Sequence, residues 1–169
     1  ITEALSDSID AIKKKGFHVE NISQSTLFLR VSCINKPTFT DTDFKSLHPI
    51  TQQIAILDLG GTQVTDSIFL KLASLPNLTV LKLDHTVVTG KNINSLQNLE
   101  FLRLINLTYT NFNATYLDQL TNFQTLKSVY LSNSGVNRTA ILTNQRKDSI
   151  DIDYGNYILP TLDSDTIIY

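Results

Sequence analysis

A short apolar frame that recurs along the chain constrains the fold more than any other feature of the sequence. Each copy has apolar residues at its first, fourth and sixth positions. The four copies are Ile54–Leu59, Leu78–Leu83, Leu99–Leu104 and Leu126–Leu131. The steps between their starting positions are similar in length but unequal. Repetition at a period of roughly 20 to 50 residues is typical of a chain that stacks one structural unit several times.

The similarity continues into the residues that follow each frame. The stretches 58–66 and 82–90 share the pattern x-Leu-x-x-Thr-x-Val-Thr. In a short strand, alternation turns the leucines of the frame toward one side and their neighbours toward the other. The threonines Thr62 and Thr86 suit a tight turn after the strand, because a hydroxyl can bond the local backbone. Leu29 and Val31 indicate a degenerate earlier copy of the unit.

The segment after each turn has the pattern of a helix that packs behind the strand. Thr65 fits a helix N-cap with Asp66 in the first turn. Thr40 and Asp43 have the spacing of a capping box. The apolar stripe of the first full helix consists of Phe69, Leu72 and Leu75. The sequence therefore predicts an α/β fold in which a parallel sheet, backed by helices, curves into a short horseshoe.

The two ends of the chain depart from the repeat and indicate caps. We predict an N-terminal cap over residues 1–26, repeats over 27–148, and a C-terminal cap and tail over 149–169, all within one domain. The cap begins with an amphipathic helix over 2–15 and continues into two short strands. A last strand is expected at 149–153, after which the tail lies over the final unit. The segment 107–113 is predicted to bulge, because it is longer than its equivalents in the assumed frame.

Composition and charge exclude several classes of function. The net charge of −2 argues against nucleic acid, which needs a basic surface, and against attraction to anionic membranes.

Cys33 is the single cysteine, so an internal disulfide is impossible, and we expect it to pack as a small apolar residue. No apolar run reaches the length of a membrane span. Because the chain contains no methionine, we expect it to be a piece of a longer protein.

The sequence gives no reason to expect catalysis, a metal or a cofactor. The three histidines lack partners at metal-ligand spacing, and Cys33 belongs to no Cys-x-x-Cys motif. Asp84 and His85 are adjacent and could be drawn as an acid–base pair, although a surface role in a variable turn is the simpler interpretation. No serine has the setting of a nucleophile elbow.

Outward positions of the strands give the candidate binding residues. The predicted apolar row consists of Phe28, Ile56, Val80 and Phe101, and the mixed row beside it consists of Arg30, Asp58, Lys82, Arg103 and Tyr130. Apolar residues exposed together and rimmed by charges are typical of an interaction surface. A solvated sheet face with a cross-strand pair between Asp58 and Lys82 would look similar in sequence.

The Leu-x-x-Leu-x-Leu-x-x-Thr-x-Val-Thr-Asp unit resembles bacterial leucine-rich repeats. The whole layout, including Val-x-x-Ile-Ser-Gln at Val19–Gln24 and an Ile-Asp-x-Gly tail at Ile152–Gly155, is similar to the C-terminal repeat region of membrane-bound c-type-cytochrome proteins. That resemblance implies a periplasmic or other extracytoplasmic location and a tether through upstream sequence. It implies no heme ligand in this chain, because the heme-attachment motif is absent.

The leading functional prediction is a non-catalytic module that binds or scaffolds an unidentified protein partner. Two alternatives stay open at this point. The chain could be a structural spacer that packs on its own parent protein, or a carbohydrate-binding surface that uses Asp58 and Asp84. We expect no contact of this piece with nucleic acid or with a membrane.

Overall fold

A computed structural model describes residues 6–136 and 150–155 of the chain. The α-helices are α1 (Ser6–Lys14) and α2 (Ser67–Leu72), and the 3-10 helices are η1 (Asp41–Ile50), η2 (Ile93–Leu96) and η3 (Ala114–Asn122). The strands are β1 (His18–Asn21), β2 (Leu29–Ser32), β3 (Ile54–Asp58), β4 (Val80–Lys82), β5 (Leu104–Asn106), β6 (Ser128–Tyr130) and β7 (Asp151–Asp153).

The described strands form one sheet in which each pairs with the next along the chain. Strand β1 runs antiparallel to β2, and every later pair from β2 to β7 is parallel. Parallel neighbours need a crossover connection, and η1, α2, η2 and η3 supply it for the pairs from β2 to β6. The predicted α/β class and the mostly parallel sheet are therefore confirmed.

The register of the sheet corrects the frame assumed for the third unit. Leu81 lies opposite Ile105, and Ile105 lies opposite Val129. The third frame therefore begins at Leu102 and not at Leu99, and the steps from Ile54 through Leu78 and Leu102 to Leu126 are all equal. The frame from Leu99 was wrong because the run 99–107 has enough apolar residues to satisfy both registers.

With the corrected frame, the segment 107–113 is an ordinary turn and not a bulge. The Thr110 hydroxyl donates to the Leu107 carbonyl at 2.7 Å. Its equivalents Thr62 and Thr86 donate to the carbonyls of Leu59 and Leu83, at 2.7 and 2.6 Å. The predicted role of the repeat threonines is confirmed, and it applies to a third unit as well.

The core lies between the sheet and the helices and is built from repeated columns. One column follows the middle of the strands and contains Leu57, Leu81, Ile105 and Val129, and the next contains Leu59, Leu83, Leu107 and Leu131; all of them are fully buried. The helices add Phe44, Phe69, Leu72, Leu96 and Leu117 to the same apolar cluster. Each unit thus buries apolar surface only by packing against its neighbours.

Aspartate side chains link consecutive units on the helical side. Asp41 accepts from the backbone N–H and the hydroxyl of Thr65, at 3.0 and 2.6 Å. Asp66 accepts from the N–H and the hydroxyl of Thr89 and from the N–H of Gly90, at 2.8, 2.7 and 3.0 Å. The predicted N-cap Thr65 is wrong by one residue, because Asp66 is the N-cap of α2 and no acidic residue lies in the first turn. The Asp66 carboxylate makes no capping bond to its own helix and holds the following unit instead.

The N-terminal helix and hairpin cover the first unit. Helix α1 buries Ile12, and Phe17 packs edge-to-face on Phe39 at 5.6 Å between ring centroids. The predicted helix is confirmed over Ser6–Lys14, and residues 2–5 lie outside the described part. At the other end, β7 extends the sheet as expected and Ile150 joins the core. Most of the predicted tail, residues 156–169, lies outside the described residues.

Candidate binding surface

The outward side chains of the sheet form two rows, which we call the outer face. The first row consists of Arg30, Ile56, Val80, Leu104, Ser128 and Asp151, and the second consists of Ser32, Asp58, Lys82, Asn106, Tyr130 and Asp153. The described helices contribute to the core on the opposite side of the sheet. The outward residues of β3 to β6 are half-buried or exposed, so the outer face is open to solvent.

Six of the nine predicted binding residues lie on the outer face. They are Arg30, Ile56, Asp58, Val80, Lys82 and Tyr130. Each belongs to a strand whose frame the sequence places correctly, so alternation alone put its side chain on the outward side.

The other three predicted residues lie beside the outer face. The error in the third frame put Phe101 and Arg103 on a strand, whereas both precede β5. Phe101 is 48% exposed, and the Arg103 guanidinium donates to the Thr125 carbonyl at 3.3 Å. Phe28 precedes β2, and its carbonyl accepts from Ile22 N–H at 3.0 Å. The same frame put Ile105 outward, but it is fully buried.

The residues missed on this face are Leu104 and Asn106. A signal for them was present in the sequence, because Thr62, Thr86 and Thr110 are evenly spaced along the chain. The turn threonine is fixed by a backbone hydrogen bond in each unit. It therefore marks the register better than leucine, which occurs at too many positions near a core.

Two ion pairs cross the strands at the N-terminal half of the outer face. Arg30 Nη1 lies 3.1 Å from Glu20 Oε1, and Lys82 Nζ lies 3.5 Å from Asp58 Oδ2. The predicted pair between Asp58 and Lys82 is confirmed. Such exposed pairs contribute roughly 0.2 to 1 kcal/mol each, so they organise the surface more than they stabilise the fold.

A shallow groove of about 480 Å³ crosses this part of the outer face. It is lined by His18, Glu20, Arg30, Ser32, Ile34, Ile56, Asp58, Val80 and Lys82. Its floor is apolar at Ile56 and Val80, and its rim is charged. This arrangement can accept an apolar side chain and orient it with polar contacts at the edge.

The side chains at and just after the carboxyl ends of β4 and β5 are polar and aromatic. We call the row of carboxyl ends of the strands the C-terminal edge of the sheet. Asn106 Nδ2 donates to Asp84 Oδ1 at 3.1 Å, and His85 Nδ1 lies 3.2 Å from Asp84 Oδ2. The His85 ring stacks on Tyr109 with 4.6 Å between centroids and 18° between planes. Among the described residues, no group of three His, Cys, Asp or Glu side chains is placed to hold a metal ion.

Cys33 follows β2 directly and is 1% exposed. Burial, with a smaller contribution from the Asp58 carboxylate, raises the pKa of the Cys33 thiol to about 12. A thiol in this setting stays protonated at neutral pH and is a poor nucleophile. The prediction that Cys33 packs as a small apolar residue is confirmed.

No helix among the described residues has the length and apolarity required to cross a membrane. No family model and no curated protein matches the chain. Among solved structures, the chain is similar to an internalin from Listeria monocytogenes, with 18% identity and a TM-score of 0.37. The alignment covers 53% of this chain and 31% of the internalin chain, so this chain corresponds to less than a third of that protein.

Proposed function

We propose that the chain is part of a leucine-rich-repeat solenoid and serves as a non-catalytic protein-interaction module. The observation that carries the proposal is the outer face itself: no described helix covers it, and its side chains are held in straight rows by the sheet register. A surface of this kind binds without first rearranging, which lowers the entropic cost of association.

The chemistry of the outer face favours a protein partner. Ile56, Val80 and Leu104 are adjacent in the first row, and Tyr130, 38% exposed, lies one strand further in the second. Apolar and aromatic anchors surrounded by polar groups are what protein interfaces use for most of their binding energy. The charged rim adds orientation and specificity more than affinity.

The test compares a variant of the outer face with a matched variant of the helical side. Val80→Glu places a charge in the middle of the first row, whereas Leu70→Glu places one on α2, where Leu70 is already 60% exposed. The full chain and both variants would be used to cross-link and recover partners from cell-envelope extract. We expect any specific partner to bind Val80→Glu at least about tenfold more weakly, because a buried unpaired charge opposes the contact, and to bind Leu70→Glu normally.

The opposite result would contradict this proposal. A partner that is lost with Leu70→Glu and retained with Val80→Glu would bind the helical side, as expected for a spacer that packs on its parent protein. Urea unfolding of both variants provides the control, since each must keep a cooperative transition for the comparison to count.

We further propose the extracytoplasmic setting that the cytochrome-protein resemblance implies, with the module tethered to a redox domain. The support for it is the sequence layout of helix, repeats and tail alone. The coding sequence upstream of Ile1 tests it directly: membrane spans followed by a Cys-x-x-Cys-His motif are expected. An upstream sequence without them would remove the cytochrome link and leave the interaction proposal intact.

A further inference from the structure

One residue with a left-handed backbone conformation follows the carboxyl end of each strand from β3 to β6. Gly61, His85, Tyr109 and Asn133 recur once per repeat, and all four have positive φ angles between 52° and 67°. The backbone N–H groups of the first three bond the next unit in the same way: Gly61 to Asp84, His85 to Thr108, and Tyr109 to Ser132, at 2.8, 3.0 and 2.9 Å. The four residues are therefore equivalent positions of one ladder.

His85 and Tyr109 each place a ring at their position in the ladder, whereas Gly61 has no side chain and leaves its position empty. The two rings lie 4.6 Å apart, close to the roughly 4.8 Å between neighbouring strands. A Cβ atom built on Gly61 would have no atom within 4 Å. The face of His85 turned away from Tyr109 is thus open beside Gly61, and the His85 side chain is 60% exposed.

Two carboxylates converge next to the empty position. A Cβ atom on Gly60 would lie 3.1 Å from both Asp84 carboxylate oxygens and 3.2 Å from Asp58 Oδ1. Both carboxylates are held in place, Asp58 by Gly60 N–H and Lys82, and Asp84 by Asn106 and by His85 Nδ1. They border a cavity of about 290 Å³, which Ile34 also lines. Lys82 also lines the cavity, and its positive charge offsets only one of the two negative charges of Asp58 and Asp84, so the C-terminal edge is negative here.

We propose that this edge receives an arginine side chain from a partner protein. The guanidinium would occupy the open space at Gly61 and stack on the free face of the His85 ring. It would donate hydrogen bonds to the Asp58 and Asp84 carboxylates, which lie beside Gly60. Arginine fits because its group is planar, permanently charged and carries donors that match carboxylates. The stem would pack on Ile34, which is 76% exposed. This inference rests on the proposed function and names the chemistry of its partner.

Charge complementarity favours arginine over the other ligands that this edge could attract. A neutral saccharide could stack on an aromatic ring, but it would leave the negative charge uncompensated. A lysine could neutralise the charge, but its ammonium cannot stack as a plane or donate two parallel hydrogen bonds. The three classes of ligand therefore separate in one experiment.

The experiment is an amide NMR titration of the full chain with three probes. The probes are the blocked tripeptides Gly-Arg-Gly and Gly-Lys-Gly and the neutral oligosaccharide cellotetraose, each tested up to about 10 mM. We expect the arginine peptide to shift the amides of Gly60, Gly61, Asp84 and His85, and to bind at least about threefold more tightly than the lysine peptide. The shifts should weaken with added salt.

Two variants and their matched controls test the geometry. Gly61→Asn fills the empty position with a residue that the ladder already carries at Asn133. Gly16→Asn is its control. Gly16 also has a positive φ and open space around it, but it follows α1 and is not part of the ladder. Asp84→Asn removes one charge and keeps the acceptor for Asn106, with Asp10→Asn on α1 as its control. We expect each site variant to weaken the arginine peptide about tenfold and each control to leave it unchanged.

Several outcomes would overturn the arginine site. They are saccharide shifts that match or exceed those of the arginine peptide, equal binding of the lysine peptide, and the absence of shifts with any probe. The proposed function fails differently, through a partner that ignores Val80→Glu. A partner sensitive to Val80→Glu but indifferent to both Gly61→Asn and Asp84→Asn would keep the proposed function and reject the arginine site.

Discussion

At the scale of single residues, polar side chains fix the turns that join each strand to its helix. The hydroxyls of Thr62, Thr86 and Thr110 bond the carbonyls of the leucines that end each apolar frame, and all three side chains are buried. A buried carbonyl that loses its partner costs more than the bond itself contributes, because water cannot replace it. The turn threonines are therefore structural residues, although they resemble ordinary polar turn residues in the sequence.

The substitution Thr86→Val tests this role. It keeps the shape of the side chain and removes the hydroxyl that bonds Leu83 O at 2.6 Å. We expect the free energy of unfolding to fall by about 1 to 2 kcal/mol, measured by urea denaturation. Thr108→Val is the control, because in the described structure Thr108 bonds Asn106 through its backbone N–H and not through its hydroxyl; an equal loss in both variants would contradict the assignment.

Asp43 gives a pH-dependent prediction at the same scale. Its carboxylate accepts from the backbone N–H and the hydroxyl of Thr40, both at 2.9 Å, as the capping-box spacing predicted. The Thr40 backbone N–H, and then its hydroxyl, lower the pKa of Asp43 below its usual 3.8. The ionised form is thus favoured by folding, so the contribution is complete above pH 3.8 and is lost as pH falls through the folded-state pKa.

The measurement compares wild type with Asp43→Asn by urea unfolding at neutral pH and in acid, at about pH 2.5. Wild type should be the more stable at neutral pH, and the difference should shrink in acid. A difference that stays constant with pH would show that Asp43 acts through packing and not through its charge.

At the scale of elements, the strands are too short to set their own register. Strand β5 spans only Leu104–Asn106, and the run 99–107 offers apolar residues in two overlapping frames. Pairing with β4 and β6 decides between the frames, because it alone aligns Ile105 with the buried column of Leu81 and Val129. A shift by an odd number of positions exchanges inward and outward side chains, which is why Leu104 and Ile105 exchanged roles relative to the prediction.

A pair of charged substitutions separates the two registers. Ile105→Glu buries a carboxylate in the core and should abolish the cooperative unfolding transition or lower stability by more than about 4 kcal/mol. Leu104→Glu should keep the fold, since Leu104 is half-buried on the outer face. Circular dichroism with urea denaturation measures both. A folded Ile105→Glu beside an unfolded Leu104→Glu would restore the frame that begins at Leu99.

At the scale of the whole molecule, stability comes from contacts between neighbouring units. The inward columns pack unit on unit, and the carboxylates of Asp41 and Asp66 each bond the unit that follows. Within the described sheet each strand from β2 to β6 pairs with the strand before it and the strand after it, so we expect a local lesion to weaken the neighbouring interfaces first. In the Val-Thr-Asp motif, the threonine therefore donates hydrogen bonds to the aspartate of the preceding unit, and these bonds connect the two units.

Asp66→Ala tests the coupling between units. It removes the acceptor for Thr89 and Gly90, so we expect a loss of about 2 to 3 kcal/mol. Hydrogen exchange should show reduced protection on both sides of the lesion, in β3 and β4. Asp10→Ala, on the exposed side of α1, should change stability by less than about 0.5 kcal/mol. Matching losses in the two variants would argue against a specific inter-unit link.

The amino-acid sequence alone specifies the class of fold, the repeated unit and its turn chemistry. Local patterns suffice for these features, because an apolar frame with a turn threonine has few structural solutions. It also determined six of the outward residues, through alternation along correctly framed strands. The amphipathic helix α1 and the capping box at Thr40 were likewise local and were predictable for that reason.

The links made by Asp41 and Asp66 and the edge formed by Gly60, Gly61 and His85 became visible only in the folded chain, whereas the register of the third unit was signalled in the sequence by its turn threonine and was missed because the frame was read from leucines. The links and the edge each depend on residues about one repeat apart that meet because consecutive strands pair. An apolar frame specifies which residues are buried, whereas strand pairing specifies which units align. Hydrophobic burial is non-directional, whereas the backbone hydrogen bonds between two strands fit only one register.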